Sequence, residues 1–546
     1  MKIRLTLLVL WIILALSNVS FPAQADNAWQ AVGEGIDYQE FHLPEPNDIY
    51  VARMDRANAS AILDSGIAQG RISHGTEKVS DMARRYDDAI NYWGGNWGQR
   101  NKVVVAINGS YFNAIGAPES GQITSGWYAK RFGDLGGGSG LGYRLDRSVF
   151  IGQCVLNKPD KQVISIFRDG QPISTFLIDG LNIPRGANQL IVYTPQYDDF
   201  THTAANGLEV LVEMKRPTLI LPLPASANGL VDQILDLHGQ TLIPFDHIVL
   251  SASGTVRDKL LGNLAVGDEV HISQEITPFD KDCERPYNQP WTKTYASIGG
   301  AFNILRDGQI ITSTETGAVE KDPRTAIAYN DQYIFFIVVD GRNPQRSVGM
   351  TFDDLAAFAQ TLGSTWAIAQ DGGGSSVMVV NGQVKNHPVS LCDSIFLPIL
   401  VTSGLQAPSQ AMPTQQGRLS SGPVASTPSY YQYACERPVA NSMMMIQVQP
   451  AQSSQTFHPL DLVSAQGSTE IRLGPGTNYP AFASIPSGTH GFILTHNENL
   501  NGIGAKGSYW WKVAFGDLAG WVDERAIVPR SANPLSNPHR GPTANQ

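Results

Sequence analysis

Two aspartates and an arginine stand where strand-like runs begin or stop. Arg324 opens RTAIAYN, Asp340 follows YIFFIVV, and Asp371 follows TWAIAQ. A pair of carboxylates is what glycosidic hydrolysis needs: one protonates the leaving oxygen, the other activates water or attacks carbon. A guanidinium grips an anionic group through parallel N–H bonds. The residues after Asp371 are Gly372, Gly373, Gly374, Ser375 and Ser376. Their small side chains leave backbone N–H groups open as a nest for a phosphate oxygen. Each glycine loses roughly 0.5–1 kcal/mol relative to alanine in regular structure, so three together point to a wall where a ligand touches the backbone.

The surrounding pattern says how these residues meet. RTAIAYN-DQ-YIFFIVVDGR has two β-branched and aromatic runs around a polar turn, a hairpin. A tight turn at Asn330-Asp331 places Arg324 opposite Val338 or Val339. Thr351 and Asp354 form an N-terminal cap pattern, Leu355, Phe358, Ala359 and Leu362 have helical spacing, and Gly363 ends the helix. The chain then enters TWAIAQ. Strand, helix, strand implies a parallel crossover, so Asp340 and Asp371 leave strands at one edge, shared with Arg324. Ligands favour that edge. The same residues also fit a plain Asp-Gly turn and a strand-capping ion pair.

The rest of the chain bounds the answer. Its 546 residues allow two or more domains, and a net charge of −10 argues against nucleic acid as partner. Lys2 and Arg4 precede the apolar Leu5–Leu16 and the site Ala23-Gln24-Ala25, the pattern of a cleaved signal peptide over residues 1–25. No transmembrane anchor is expected after cleavage, and the protein is read as secreted, periplasmic or on the bacterial cell surface. The four cysteines favour disulfides, with Cys154–Cys283 and Cys392–Cys435 the expected pairs. There is no GK[ST] after the glycines and no GxGxxG, HExxH or GxSxG. Eleven scattered histidines show no metal-ligand spacing, so neither a catalytic metal nor a cofactor is expected, a structural calcium ion being left open.

INGSYF, RTAIAYN…FFIVVDGR…VGMTFDDLAAFAQTLGSTWAIAQDGGGSSVMVVNGQVKNHP and ERPVANSMMM, in that order, resemble the phosphodiester glycosidase family. The resemblance spans roughly Val103 to Val448 and is densest over residues 323–389. It implies hydrolysis of a sugar-1-phosphodiester between the anomeric carbon and the phosphate oxygen. It also implies that Asn108, Arg324, Asp340, Asp371, Gly372, Gly373, Gly374, Ser375 and Ser376 line the site, with Arg437 nearby and Arg185 a weaker candidate. Asp340 and Asp371 are then the acid/base or nucleophile pair, and Arg324 with the glycine backbone holds phosphate. A phosphodiester leaves as a weakly basic anion, so one carboxylate could suffice. Tyr111, Phe112 and Trp127 offer aromatic faces to a sugar.

Ser468–Ile527, with RLGPGTNY, Trp510-Trp511 and GWV, resembles a bacterial SH3-like barrel. The expected fold class is α+β: a mixed, β-sheet-rich catalytic domain over 26–448 with few helices and a flexible insertion at 404–429, then a small all-β barrel. A linker at 449–459 leads to that barrel at 460–528, and 529–546 is a disordered tail. The preferred reading is an exported glycosidase acting on a glycosyl-phosphodiester in an envelope or extracellular polysaccharide, with a cell-wall or surface polymer as partner of the SH3-like domain. The alternative is a non-catalytic envelope protein that binds glycan or sugar phosphate. A weaker third reading is a metal-dependent phosphodiesterase cutting P–O.

Overall fold

The computed structural model describes residues 28–88, 99–132, 139–144, 146–152, 155–214, 226–278, 294–391, 434–449, 454, 456–477, 479–494, 502–505 and 508–530. The expected signal peptide at 1–25, the expected insertion at 404–429, residues 531–546 of the expected tail and Cys154, Cys283 and Cys392 lie outside them. Cys435 is disulfide-bonded; neither expected pairing falls within the described residues.

The strand Arg324–Tyr329 is the organising element. It pairs antiparallel with Tyr333–Val339 on one side and Trp366–Ala369 on the other. The Asn330 side-chain oxygen accepts from the Gln332 and Tyr333 N–H groups and closes the turn. That turn sets Arg324 opposite Val339. The two outer strands are therefore parallel to each other, with the helix Phe352–Thr361 as their crossover. A reciprocal capping box between Thr351 and Asp354 starts this helix. Gly363, at φ +77°, carries the chain out of it.

Alternation along these strands builds two cores. Ala326, Ala328, Ile337 and Val339 pack with Leu355, Phe358 and Ala359 of the helix. Ile327, Tyr329, Phe336 and Val338 face the other way, onto a second sheet. That sheet runs Gln383–Val384, Met378–Val380, Gln99–Asn108, Asn441–Gln449, Ala61–Ile67. Its inward residues include Val105, Ile107, Met443 and Met445. The layers are helix, sheet, sheet.

Residues between Val155 and Pro278 form a separate mostly antiparallel sheet of eight strands with its own core around Val210, Val212, Leu250 and Ile272. Strands dominate and helices are few, as the sequence indicates. No helix among the described residues is long and apolar enough to cross a membrane.

Among the described residues the C-terminal segment does not close into the expected barrel. Its strands run in one open order from Ala481–Ile485 to Ile527–Pro529, and the two ends do not pair among the described residues. The last strand has three residues and ends in Pro529, which has no N–H to offer a further ladder. The segment packs on the large sheet. Phe245 sits edge-on to Tyr479 and Trp521, and Lys512 Nζ lies 2.8 Å from Glu213 and 2.7 Å from Asp246.

Candidate active site

Beyond the shared sheet edge lies a hollow of about 520 Å³ lined by Tyr111, Asp322, Arg324, Arg342, Asp371, Gly372–Gly374, Val389, Ser390 and Arg437, with Gly317 at its rim. Arg324 and Asp371 meet there.

Arg324 is only 5% exposed. Its Nε donates to Met350 O at 2.7 Å, and Nη2 to Gly317 O at 2.8 Å and Glu320 O at 2.5 Å. Its Cζ stacks 4.4 Å from the Phe352 ring centre. Three carbonyls and a ring thus fix the group, and Nη1 has no hydrogen-bond partner among the described residues. Burial pulls its pKa below the ordinary guanidinium value, though not enough to discharge an arginine. Arg342 is held by a bidentate pair with Asp322, at 2.8 and 3.0 Å. Arg437 donates to Ser375 Oγ at 3.3 Å and lies over the Phe112 ring. The hollow thus gathers three guanidinium groups.

Asp371 is 8% exposed. Burial pushes its carboxyl above the usual range, against the opposing pull of Ser375, Arg437 and the Gly372 N–H. Its backbone is pinned at both ends: N–H to Gly109 O at 3.0 Å, and C=O accepting from Asn108 Nδ2 at 2.7 Å. Asn108 Oδ1 also accepts from Thr325 Oγ1 and from Val377 N–H. The fully buried Asn108 is therefore a tie holding both ends of the glycine turn to the central strand, rather than a lining residue. Gly373 has φ +61°, a left-handed backbone that favours glycine, and a Cβ there would come within 2.9 Å of the movable Arg342 guanidinium.

Three N–H groups of the glycine turn are not open for the expected nest. Gly373 N–H donates to Pro323 O, Ser375 N–H to Gly372 O and Ser376 N–H to Gly373 O. These three donors are not open to a ligand, and the positive charge of the hollow lies on its guanidinium groups. Gly372–Gly374 do line the hollow, while Ser375 and Ser376, each 1% exposed, lie beneath it.

Asp340 is not in the hollow. Paired residues in an antiparallel ladder share a face, so Val339 faces with Arg324 and the next residue turns away. Its carboxylate instead accepts from Tyr50 Oη at 3.1 Å, Asn386 Nδ2 at 3.1 Å and His387 N–H at 3.0 Å. Arg185 is also elsewhere. It sits in the large separate sheet, donating to Ser251 Oγ and Ala204 O beside Glu209. Of the aromatics, Tyr111 reaches the hollow at 41% exposure, Phe112 backs Arg437, and Trp127 is core. The sequence reading missed Asp322, Arg342 and Asn386. Arg342 stands two residues after Asp340, and that adjacency was its one signal. Among the described residues, no three His, Cys, Asp or Glu side chains come together as a metal site.

Part of the chain that builds this site is similar to a known family. Residues 239–397 match the model of the phosphodiester glycosidases. The matched segment holds Arg324, Arg342, Asp371 and the glycine turn, whereas Asn108, Tyr111 and Arg437 lie outside it. No curated protein matches the chain. Among solved structures, a Synechocystis protein shares 15% identity at a TM-score of 0.46, over 77% of this chain and 64% of that one. The chain thus spans under two thirds of that protein's length. A Burkholderia pseudomallei protein shares 17% identity at a TM-score of 0.41, over 74% of each chain. The zebrafish N-acetylglucosamine-1-phosphodiester alpha-N-acetylglucosaminidase catalytic domain, auto-inhibited by its pro-peptide, shares 15% identity at a TM-score of 0.34, over 78% of this chain and 86% of that one.

Proposed function

We propose that this protein hydrolyses a sugar-1-phosphodiester by breaking the bond between the anomeric carbon and the phosphate oxygen. The observation that supports this most is a buried carboxyl of raised pKa, Asp371, sharing one hollow with Arg324, Arg342 and Arg437. Arg324 Nη1 and the exposed Arg437 hold the non-bridging phosphate oxygens. Arg342, already neutralised in part by Asp322, closes the rim. Tyr111 offers its ring to the sugar.

Ionised Asp371 accepts a proton from the water that attacks the anomeric carbon. The new C–O bond forms on the water side, and the old C–O bond breaks with its electron pair on phosphate. Free sugar and a phosphomonoester result. The leaving phosphate is weakly basic and needs no proton, so one carboxyl serves. A raised pKa makes that carboxylate a better proton acceptor near neutral pH. The guanidinium groups stabilise the charge growing on the departing phosphate. The signal-peptide pattern at the N-terminus supports a substrate in the envelope or outside the cell.

The test is hydrolysis of a sugar-1-phosphodiester in isotopically labelled water. Label is expected in the released sugar, and Asp371→Asn is expected to lower turnover at least ~10²-fold, the scale of lost acid–base help. Label in the phosphate would mean P–O scission and overturn the reading. Binding of the diester without release of sugar would mean a glycan-binding protein instead.

A further inference from the structure

Asp340 has both carboxylate oxygens occupied by groups that do not line the hollow. Oδ1 accepts from Asn386 Nδ2 at 3.1 Å and His387 N–H at 3.0 Å. Oδ2 accepts from Tyr50 Oη at 3.1 Å and faces His387 Nδ1 at 3.2 Å. Burial and the Asp340 and Asp48 carboxylates push the Tyr50 pKa up, so its hydroxyl stays a donor. The Asp340 backbone is locked as well, N–H to Asp48 O and C=O from Ser347 Oγ. This buried acid, 3% exposed, is anchored on the sheet and grips a loop.

That loop builds the hollow. Asn386, held by Asp340, donates in addition to Ser376 O at 3.0 Å and accepts from Met378 N–H at 2.9 Å. It thereby ties the far end of the glycine turn to the sheet. Three residues on, Val389 and Ser390 form a wall of the hollow. Ser390 pairs with Cys435 in a short antiparallel ladder, two residues before Arg437. One carboxylate thus stands behind the turn carrying Asp371, the wall at Val389–Ser390 and the strand leading to Arg437.

We propose that Asp340 is a positioning residue for the reaction proposed above: its carboxylate sets the 386–390 loop and, through it, the phosphate-holding side of the hollow. The inference rests on that reading for its kinetic consequence, while the mechanical part stands without it. The arginine on that side holds the phosphate already in the bound ground state, so its displacement is read first as a rise in KM.

Two measurements test it. The first is hydrogen exchange followed by mass spectrometry on the full chain. Asp340→Asn is expected to speed exchange at residues 386–391 and 373–378 while leaving the Arg324–Tyr329 strand protected. Unchanged exchange in both segments would overturn the proposal. The second is hydrolysis kinetics. Asp340→Asn is expected to raise KM at least ~10-fold with a smaller fall in kcat, and to leave the acid limb of the pH profile where Asp371 sets it. Loss of that limb would make Asp340 a proton-transfer group and overturn the proposal. Asn386→Ala cuts the same tie from the loop side and carries the same expectations where Asp340→Asn fails to fold. The double variant is expected to be no worse than the poorer single variant; additive losses would refute a common path. A wild-type protein inactive on sugar-1-phosphodiesters would end the functional reading, with the exchange experiment still deciding the anchor.

Discussion

The Arg324 guanidinium and the Asp340 carboxylate leave opposite faces of the same sheet, although their backbones are one residue out of register. Arg324 stacks on Phe352 of the covering helix. Asp340 meets Tyr50, whose ring belongs to the core between the sheets. Asp371 is consequently the carboxyl of the hollow with no ion-pair partner among the described residues, since Asp322 is committed to Arg342. Chemistry and stability then pull in opposite directions at Asp371.

Asp371 has a folded-state pKa above its unfolded value because burial disfavours the charged form. A raised carboxyl contributes stability that is fully present below the unfolded pKa and is lost as pH rises through the folded one. At neutral pH the ionised group is therefore destabilising. Asp371→Asn removes the charge at nearly constant shape and is expected to raise Tm at neutral pH while lowering turnover at least ~10²-fold. The gain is expected to vanish as pH falls below the ordinary carboxylate range, where the wild-type group is itself neutral. Thermal denaturation across that range checks it; a lower Tm for the variant at neutral pH would show that the arginines, not burial, dominate.

Backbone features were legible in the sequence and side-chain direction was not. The hairpin register, the Thr351–Asp354 cap and the parallel crossover all follow from local patterns, and they bring Arg324, Asp340 and Asp371 to one edge. Whether Asp340 faces with Arg324 depends on a single step of strand parity, and the turn had been placed only to within Val338 or Val339. The structure pairs Arg324 with Val339, which sends Asp340 away. Asn108 was recognisable as part of the site. Its role as a tie depended on partners at Thr325 and Val377, far along the chain. Arg185 came from resemblance alone, and its partners Ser251 and Glu209 hold it in another sheet.

Two arginines of the hollow are expected to behave differently. Arg324 satisfies three backbone carbonyls from a buried position. Arg324→Met leaves those acceptors without their donor, at about 1–3 kcal/mol for a buried group, so both stability and phosphate binding should fall. Arg342 is half-exposed and its pair with Asp322 lies at the rim. Exposed pairs contribute about 0–1 kcal/mol, so Arg342→Ala should weaken binding of the diester with little change in Tm. Calorimetric titration beside thermal melts separates the cases, and equal melts for both variants would refute the distinction.

Gln370 precedes Asp371, is 1% exposed, and has neither side-chain amide atom bonded within the described residues. A buried polar group without a partner costs about 1–3 kcal/mol, whereas an apolar group of similar shape costs nothing of that kind. Gln370→Leu is expected to raise stability by about 1 kcal/mol, read from denaturant midpoints at constant slope. An unchanged or lower midpoint would mean that the amide has a partner in solution.

Lys512 joins the C-terminal strands to the large sheet, with Glu213 and Asp246 as its acceptors and Asp246 fully buried. Removing one member of a buried ion pair typically costs about 3–5 kcal/mol, because the opposing charge stays behind. Asp246 also lies 2.7 Å from His247 Nδ1. Burial alone would lower the His247 pKa, but Asp246 and Asp232 outweigh it and raise the value above the ordinary one. Below that pKa His247 carries a charge that offsets the lost ammonium. Lys512→Met is therefore expected to destabilise most on the alkaline side of neutrality and least on the acid side. Limited proteolysis should show the C-terminal segment released first under alkaline conditions. A penalty independent of pH would mean that His247 does not share the load, and no penalty at all would mean that Phe245 packed against Tyr479 and Trp521 holds the joint alone.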